Sequence, residues 1–551
     1  MKNKHYQKFI LLPLGALAVA GLSSCTFNLW STINGGKSLI TSGLAVASQD
    51  GSTYGAPQAT YGADGTNYSA KATSFTQSDV ESSGSGFMMP SKGKLNILVV
   101  PVIIDDFKDN ATDSVRTDIE KAFFGNPSDT SWESLASYYY KSSYGQLLIN
   151  GIVTPWFDSG YTSKELSALT YSGTSSYKSA YEPTWTVLED AYKWYKSTYQ
   201  SDGSEFDSNS DGVVDAVWLV NSAPDAQTDT ALDSTDFWAY TYSDLLPYET
   251  VANNGGKTDS CIPFRYSWAS YDFMYKGYGD TGIDAHTYIH ETGHLMGLDD
   301  YYVSDTASSY TTNYGPMGRI DMMDFNIIDH DAYSKFALGW IKPYVVTGAT
   351  TITLKPSSTT GQAILLPTTT DGWNGSAFDE YMLLEFYTPT LLNKKDSDAA
   401  YPDNEQQGFT TNGVRIYHVD ARLAKITGKT LTYSDTVVSN DTSYTMMAHS
   451  NSSSYNERVG TTLGFRLVQE MDCTKKRNFD TDPLTVTKGG KTSILPALAD
   501  NTSLFQNGDS FSFASYAHSF PTSTMNDGHK FPFTVAFSGI SDESVTVSIS
   551  L

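Results

Sequence analysis

Residues 286 to 305 read HTYIHETGHLMGLDDYYVSD, and His290, Glu291, His294, Gly297 and Asp300 among them form the pattern H-E-x-x-H-x-x-G-x-x-D. On a helix, side chains four residues apart stack on one face about 5–6 Å apart, so His290 and His294 can converge on one metal ion. Glu291 then lies beside that ion without binding it. Two imidazoles, one carboxylate and a vacant position make the donor set of catalytic zinc. Zinc lowers the pKa of a water in that position to roughly 7, and Glu291 can take its proton as it attacks a carbonyl. The chemistry expected is hydrolysis.

A helix that ran straight on would carry a third ligand away from the metal. Gly297, three residues after His294, can adopt a left-handed conformation and end the helix. The chain then turns back and Asp300 can reach the zinc. Asp299 has the same chemistry one residue earlier, and only the motif spacing prefers its neighbour. His286 lies one turn before His290, but at a rise of about 1.5 Å per residue it stands some 12 Å from His294. It cannot share a tetrahedral site with both, and a pocket-lining or solvent-facing place is expected for it.

The elements that position these residues follow a leader. Lys2, Lys4 and Lys8 precede an apolar run from Phe9 to Leu22, which reads as a secretory signal over residues 1–24. It ends in Leu22-Ser23-Ser24-Cys25, which resembles the lipobox of bacterial lipoproteins, with Cys25 as the lipidated residue; an ordinary signal cleaved near Ser24 is the other reading. Acyl chains on Cys25 would hold the protein to a membrane surface at the outside of a bacterial cell. Loss of the leader removes three lysines and no carboxylate, taking the formal charge from −25 to −28. Such acidity argues against nucleic acid as a partner. Of the three cysteines, Cys261 and Cys473 remain after processing, as one disulfide or as two free thiols. Residues 25–93 are rich in Ser, Thr, Gly and Ala and read as a tether or a short pro-segment.

A catalytic part is expected over residues 94–344. Leu95 to Ile104 suits a buried strand, and Asp113 can cap a helix carrying Val115, Ile119, Ala122 and Phe123. A second helix is expected around Trp132 to Ser143, and Asn150-Gly151 between apolar runs signals a hairpin. Pro183 opens a helix that runs to Tyr199. In DSNSDGVVD, Asp207, Asn209, Asp211, Val213 and Asp215 fall at the positions of EF-hand oxygen ligands, the fourth through its backbone carbonyl, so calcium is expected as a structural ion. The twelfth position is Trp218 where an EF-hand has glutamate; a plain Asx-rich turn is the alternative. Ala216 to Val220 reads as a core strand. Further on, Met322 or Met323 falls where metzincin peptidases place a methionine turn beneath the metal, and core filling is the competing role. Asp331 can cap a following helix. His330, Tyr333, Tyr301 and Tyr302 are candidates to hydrogen-bond a developing oxyanion.

These segments, taken in order, resemble the immune inhibitor A family of secreted bacterial zinc metallopeptidases. The likeness is carried by the opening strand, SLASYYYKSSYGQLLINGIV, the aspartate-rich loop, HETGHLMGLDDYY, DMMD and SKFALGW, with DEYMLLEFY and GVRIYHVD further on. It covers roughly residues 95 to 430 and implies a metzincin-like endopeptidase fold, zinc on His290, His294 and Asp300, Glu291 as the base, and calcium support. Family members often carry longer pro-regions than this chain.

After Tyr344 the pattern changes to short strands between polar turns, and a β-sandwich-like domain is expected over residues 345–551. His418 and Asp420 face the same way on one of these strands, as a hydrogen-bonded pair. The expected whole is thus an α/β (α+β) metzincin-like peptidase domain followed by a β-rich domain, a surface-anchored monomer that cleaves extracellular proteins. One rival is an adhesion or ligand-binding lipoprotein with a structural zinc site, but Glu291 has no purpose in such a site; a second is a zinc hydrolase acting on non-peptide bonds.

Overall fold

The strand expected at the front of the folded part runs Gly93–Ile103 and is buried over most of its 11 residues. It pairs in parallel with Leu147–Val153 on one side and Val217–Asn221 on the other, and Arg265–Ser270 extends the parallel run. Tyr240–Ser243 adds antiparallel to Arg265–Ser270 and is the last described strand on that side. In this computed structural model the residues described are 38–39, 76, 87–169, 182–233, 236–243, 261–277, 282–303, 315–402, 406–427, 430–433, 446–451, 465–479, 483–488 and 491–551. The leader and Cys25 lie outside them. Among the described residues no helix is long and apolar enough to cross a membrane.

Parallel neighbours require crossovers, and helices supply them. Asp113–Phe124 and Leu135–Ser142 lie between the first two paired strands, and Glu182–Tyr199 precedes the third. Alternate strand residues face opposite sides. Leu95, Ile97 and Val99 join a core with Ile119, Phe123, Tyr288 and Ile289, whereas Leu98, Val100 and Val102 join one with Val187, Leu188 and Ala191. Two details differ from the sequence reading. Thr112, not Asp113, caps the first helix, its hydroxyl accepting from the Val115 N–H. Asn150 and Gly151 make no hairpin: the strand passes straight through them, paired with Asn96 and Ile97. A Cβ at Gly151 would stand 2.2 Å from the Ile97 carbonyl oxygen, so this glycine serves close backbone approach within a strand.

The later half contains two larger antiparallel systems. One sheet orders Tyr344–Val345, Ala363–Pro367, Glu380–Tyr387, Gly413–Asp420 and Val468–Glu470, with only its first pairing parallel. The other orders Thr350–Leu354, Val545–Ser550, Thr534–Ser538 and Ser510–Ser512. Ile364, Met382, Leu384 and Ile416 meet Ile352, Phe537 and Val547 of the second sheet. The opposite face, with Leu365, Leu383, Tyr417 and Val419, shares its core with Tyr333, Ala337 and Trp340. The apolar core therefore runs unbroken past Tyr344. The molecule is a mixed α/β protein with several sheets. Cys261 and Cys473 are free thiols.

Candidate metal centre

The helix that bears the motif runs His286–Leu295, and nine of its ten residues are buried. Its end is fixed by a paired cap: Gly297 N–H donates to the His294 carbonyl at 3.0 Å and Leu298 N–H to the Gly293 carbonyl at 3.1 Å. Gly297 has φ +92°, a conformation that favours glycine. The chain reverses there and returns Asp300 to the helix.

Three side-chain atoms converge as a result. His290 Nε2 is 3.1 Å from Asp300 Oδ1 and 3.1 Å from His294 Nε2, and His294 Nε2 is 3.2 Å from the same Asp300 oxygen. A four-coordinate zinc about 2.0–2.1 Å from each donor would set them about 3.3 Å apart, close to this triangle. The tautomers agree. His290 Nδ1 faces the Met322 carbonyl and His294 Nδ1 the Leu298 carbonyl, each at 2.8 Å. A carbonyl only accepts, so both Nδ1 atoms carry a proton, and each Nε2 is left to meet a cation or, on His294 beside Asp300, a second proton. Two such nitrogens and a carboxylate oxygen aimed at one point are a cation site. Among the described residues this is the one group of three or more His, Cys, Asp or Glu whose ligand atoms lie within 4.8 Å of one another. The residues present fit a metal ion.

Burial opposes charge on both Asp300 and His294, yet each holds the other's. The Asp300 carboxyl lies well below the usual carboxylate range beside the two imidazoles, and His294 is pushed up to about 10. Glu291 is buried, and burial raises its pKa against the pull of His294 and His290. The Thr241 hydroxyl lies 2.9 Å from the Glu291 carbonyl oxygen and 3.1 Å from its Oε2, with Ser267 Oγ at 2.7 Å on its other side. Nothing in the sequence pointed to Thr241. Only the antiparallel strand Tyr240–Ser243, the last described on its side of the sheet, brings it to Glu291.

Between the two aspartates the fold decides: the Asp299 carboxylate turns away and accepts a hydrogen bond from Ser450. Met322 contributes its carbonyl to His290, while the Met323 sulfur packs beneath the helix, where a Cβ at Gly293 would meet it at 2.6 Å. Of the four oxyanion candidates only Tyr302 stands at the site, where Asp300, burial and Glu291 raise its hydroxyl pKa and Asp300 hydrogen-bonds it. Tyr301 is spent on Ser334 at 2.7 Å, Tyr333 reaches the Met447 sulfur at 3.6 Å, and His330 is buried among Tyr138, Tyr139 and Trp340.

His286 departs from its expected place. It is wholly buried, stacked between Trp132 at 4.2 Å and Tyr401 at 4.4 Å, with Asp284 at 2.8 Å and Asp396 at 3.3 Å from its ring nitrogens. The cause is the later half, which covers the start of the helix. His418 and Asp420 also differ from the expected pair: His418 bonds Glu380 at 2.8 Å and Asp420 takes a two-pronged bond from Arg422.

The side chains of the aspartate-rich loop fold back on its own backbone. Asp207 accepts from the N–H groups of Asp211 and Gly212, Asn209 from Asp211, Asp211 from Val213, and Asp215 from Ser208. Bonds from the loop's N–H groups to Asn209 and Asp211 close Asx turns. Burial raises Asp215 to about 7. No family model matches the chain, and no curated protein matches it.

Proposed function

We propose that the chain is a zinc-dependent endopeptidase, of metzincin-like fold with a β-sandwich-like later half, exported and held at a bacterial cell surface through Cys25. The observation that supports this best is the placement of a buried carboxylate, Glu291, directly beside three converging ligand atoms. Zinc held by His290, His294 and Asp300 would supply Lewis acidity toward water and a scissile carbonyl. Glu291 takes a proton from the attacking water and passes it to the leaving amine as the C–N bond breaks. Thr241 keeps the carboxylate of Glu291 oriented. Tyr302 is the hydroxyl best placed to donate to the oxygen of the tetrahedral intermediate.

A peptide substrate is favoured by the position of the base. Thr241 lies on Tyr240–Ser243, the outermost described strand of its sheet, so an extended segment that paired with this edge would pass Glu291. Met322 and Met323, packed against the motif helix, would serve as its methionine turn. A calcium ion on Asp207, Asn209, Asp211, the Val213 carbonyl and Asp215 would brace the loop ahead of the strand Val217–Asn221.

The test compares the purified protein with Glu291→Gln for zinc content and for cleavage of an unstructured protein such as casein. One zinc in both, with cleavage by the native form alone, is the expected result. Zinc without cleavage, even after limited proteolysis to relieve latency, would move the assignment to a surface binding protein.

A further inference from the structure

Asp300 sits on a turn and not on a helix, so something other than helical geometry must hold it. The residues on either side of it are both gripped by consecutive residues from the later half of the chain. Asp299 accepts the hydroxyl of Ser450, and the Tyr301 carbonyl accepts the Asn451 side-chain amide at 2.9 Å. Asn451 is fully buried, and its amide is otherwise committed to one partner: it donates to the Val468 carbonyl at 2.8 Å and accepts from the Val468 N–H at 3.2 Å. Val468 opens the strand Val468–Glu470, which hydrogen-bonds to Gly413–Asp420 in the five-stranded sheet. A rigid path thus runs from that sheet through Asn451 to the backbone next to the third ligand.

The contacts around it reinforce the path. Ala448 N–H bonds the Arg422 carbonyl at 2.8 Å, the Met447 sulfur takes the Tyr333 hydroxyl, and Tyr301 N–H bonds the Met323 carbonyl at 2.8 Å. The turn is held on the helix side by Met323 and on the far side by Ser450 and Asn451. A ligand carboxylate left to a free turn would pay ordering entropy on each binding event. One already fixed does not; groups bonded to a ligand commonly change metal affinity about 10–100-fold, and Ser450 and Asn451 act one residue removed, through Asp299 and Tyr301, at the low end of that range.

We infer that Ser450 and Asn451 are positioning residues for the metal centre, and that the later half of the chain is needed to complete the site in the first half. This rests on the reading of His290, His294 and Asp300 as metal ligands and not on the peptidase reading.

The experiment measures zinc affinity by chelator competition on the full chain, with the thermal stability of the metal-stripped protein alongside. Ser450→Ala and Asn451→Ala are each expected to lower affinity roughly tenfold or more, and Ser450→Thr, which keeps the hydroxyl, to lie near the native value. Val547→Ala opens the distant core between the two later sheets and serves as a destabilised control that leaves the turn untouched. Should Asn451→Ala fail to fold, Ser450→Ala against Ser450→Thr decides. Affinities within twofold of native in the folded variants would overturn the inference, as would an equal loss in Val547→Ala. A native protein that binds zinc but cleaves nothing would remove the peptidase reading and leave this one standing.

Discussion

The Nε2 atoms of His290 and His294 stand 3.1 Å apart with both Nδ1 protons committed to backbone carbonyls. Two lone pairs do not bond each other, and this arrangement is relieved only by a cation or by a proton. The three ligands are therefore unequal to their neighbours in a metal titration. Substitution of His290, His294 or Asp300 by alanine is expected to abolish stoichiometric zinc, read by metal analysis after dialysis. Asp299→Ala, which loses the Ser450 contact and the carboxylate's bond to the Asp300 N–H, is expected to retain zinc with an affinity lowered roughly tenfold. Equal losses at Asp299 and Asp300 would contradict the ligand assignment.

Thr241 gives a second prediction. A hydrogen bond to a charged group contributes about 1.5–3 kcal/mol, so Thr241→Val is expected to lower kcat roughly tenfold or more while zinc content stays at the native value. Thr241→Ser keeps the hydroxyl and should recover most of the rate. A kcat unchanged in the valine variant would show that Glu291 is oriented without it.

His286 links stability to pH. Burial lowers its pKa, but Asp284 and Asp396 outweigh burial and push it up to about 10, from an ordinary 6.5. A group raised on folding contributes in full below its unfolded pKa and loses that contribution as pH rises through its folded one. His286→Gln should destabilise the protein at pH 7 by on the order of 3 kcal/mol, the scale for breaking a buried ion pair. The difference in melting temperature from native should shrink as pH rises from about 6.5 to about 10. A gap constant over that range would mean that the ring is neutral and acts by stacking alone.

Gly297→Ala tests the turn. A side chain at φ +92° is strained, and left-handed backbone costs an L-residue roughly 1–2 kcal/mol. Both melting temperature and zinc affinity are expected to fall, since relief of the strain moves Asp300. Loss of stability with unchanged affinity would uncouple the cap from the ligand.

Much of this protein is local and so was legible in the order of its residues. The helix His286–Leu295, its glycine stop, the spacing of its two histidines and the core strand Gly93–Ile103 each follow from interactions within a few residues. The strands Glu380–Tyr387 and Gly413–Asp420 were legible as strands, but the burial of their Glu385, Arg415 and His418 was not. The choice of Asp300 over Asp299 rested on spacing alone, and tertiary contact with Ser450 settled which carboxylate turns inward.

Other features depended on segments far apart in sequence. Asn150-Gly151 has the local signature of a hairpin, but the Ile97 carbonyl on the neighbouring strand needs the space of a missing Cβ, and the pair lies inside a strand instead. His286 lies inside because Trp132 and Tyr401 close over it. Thr241 meets Glu291, and Asn451 meets Tyr301, across separations of 50 and 150 residues. Which side chains can converge on a metal was written locally, in helix periodicity and a glycine turn, because both are short-range physics. What holds them in place came from contacts between distant segments, because such hydrogen bonds and stacking leave no periodic trace along the chain.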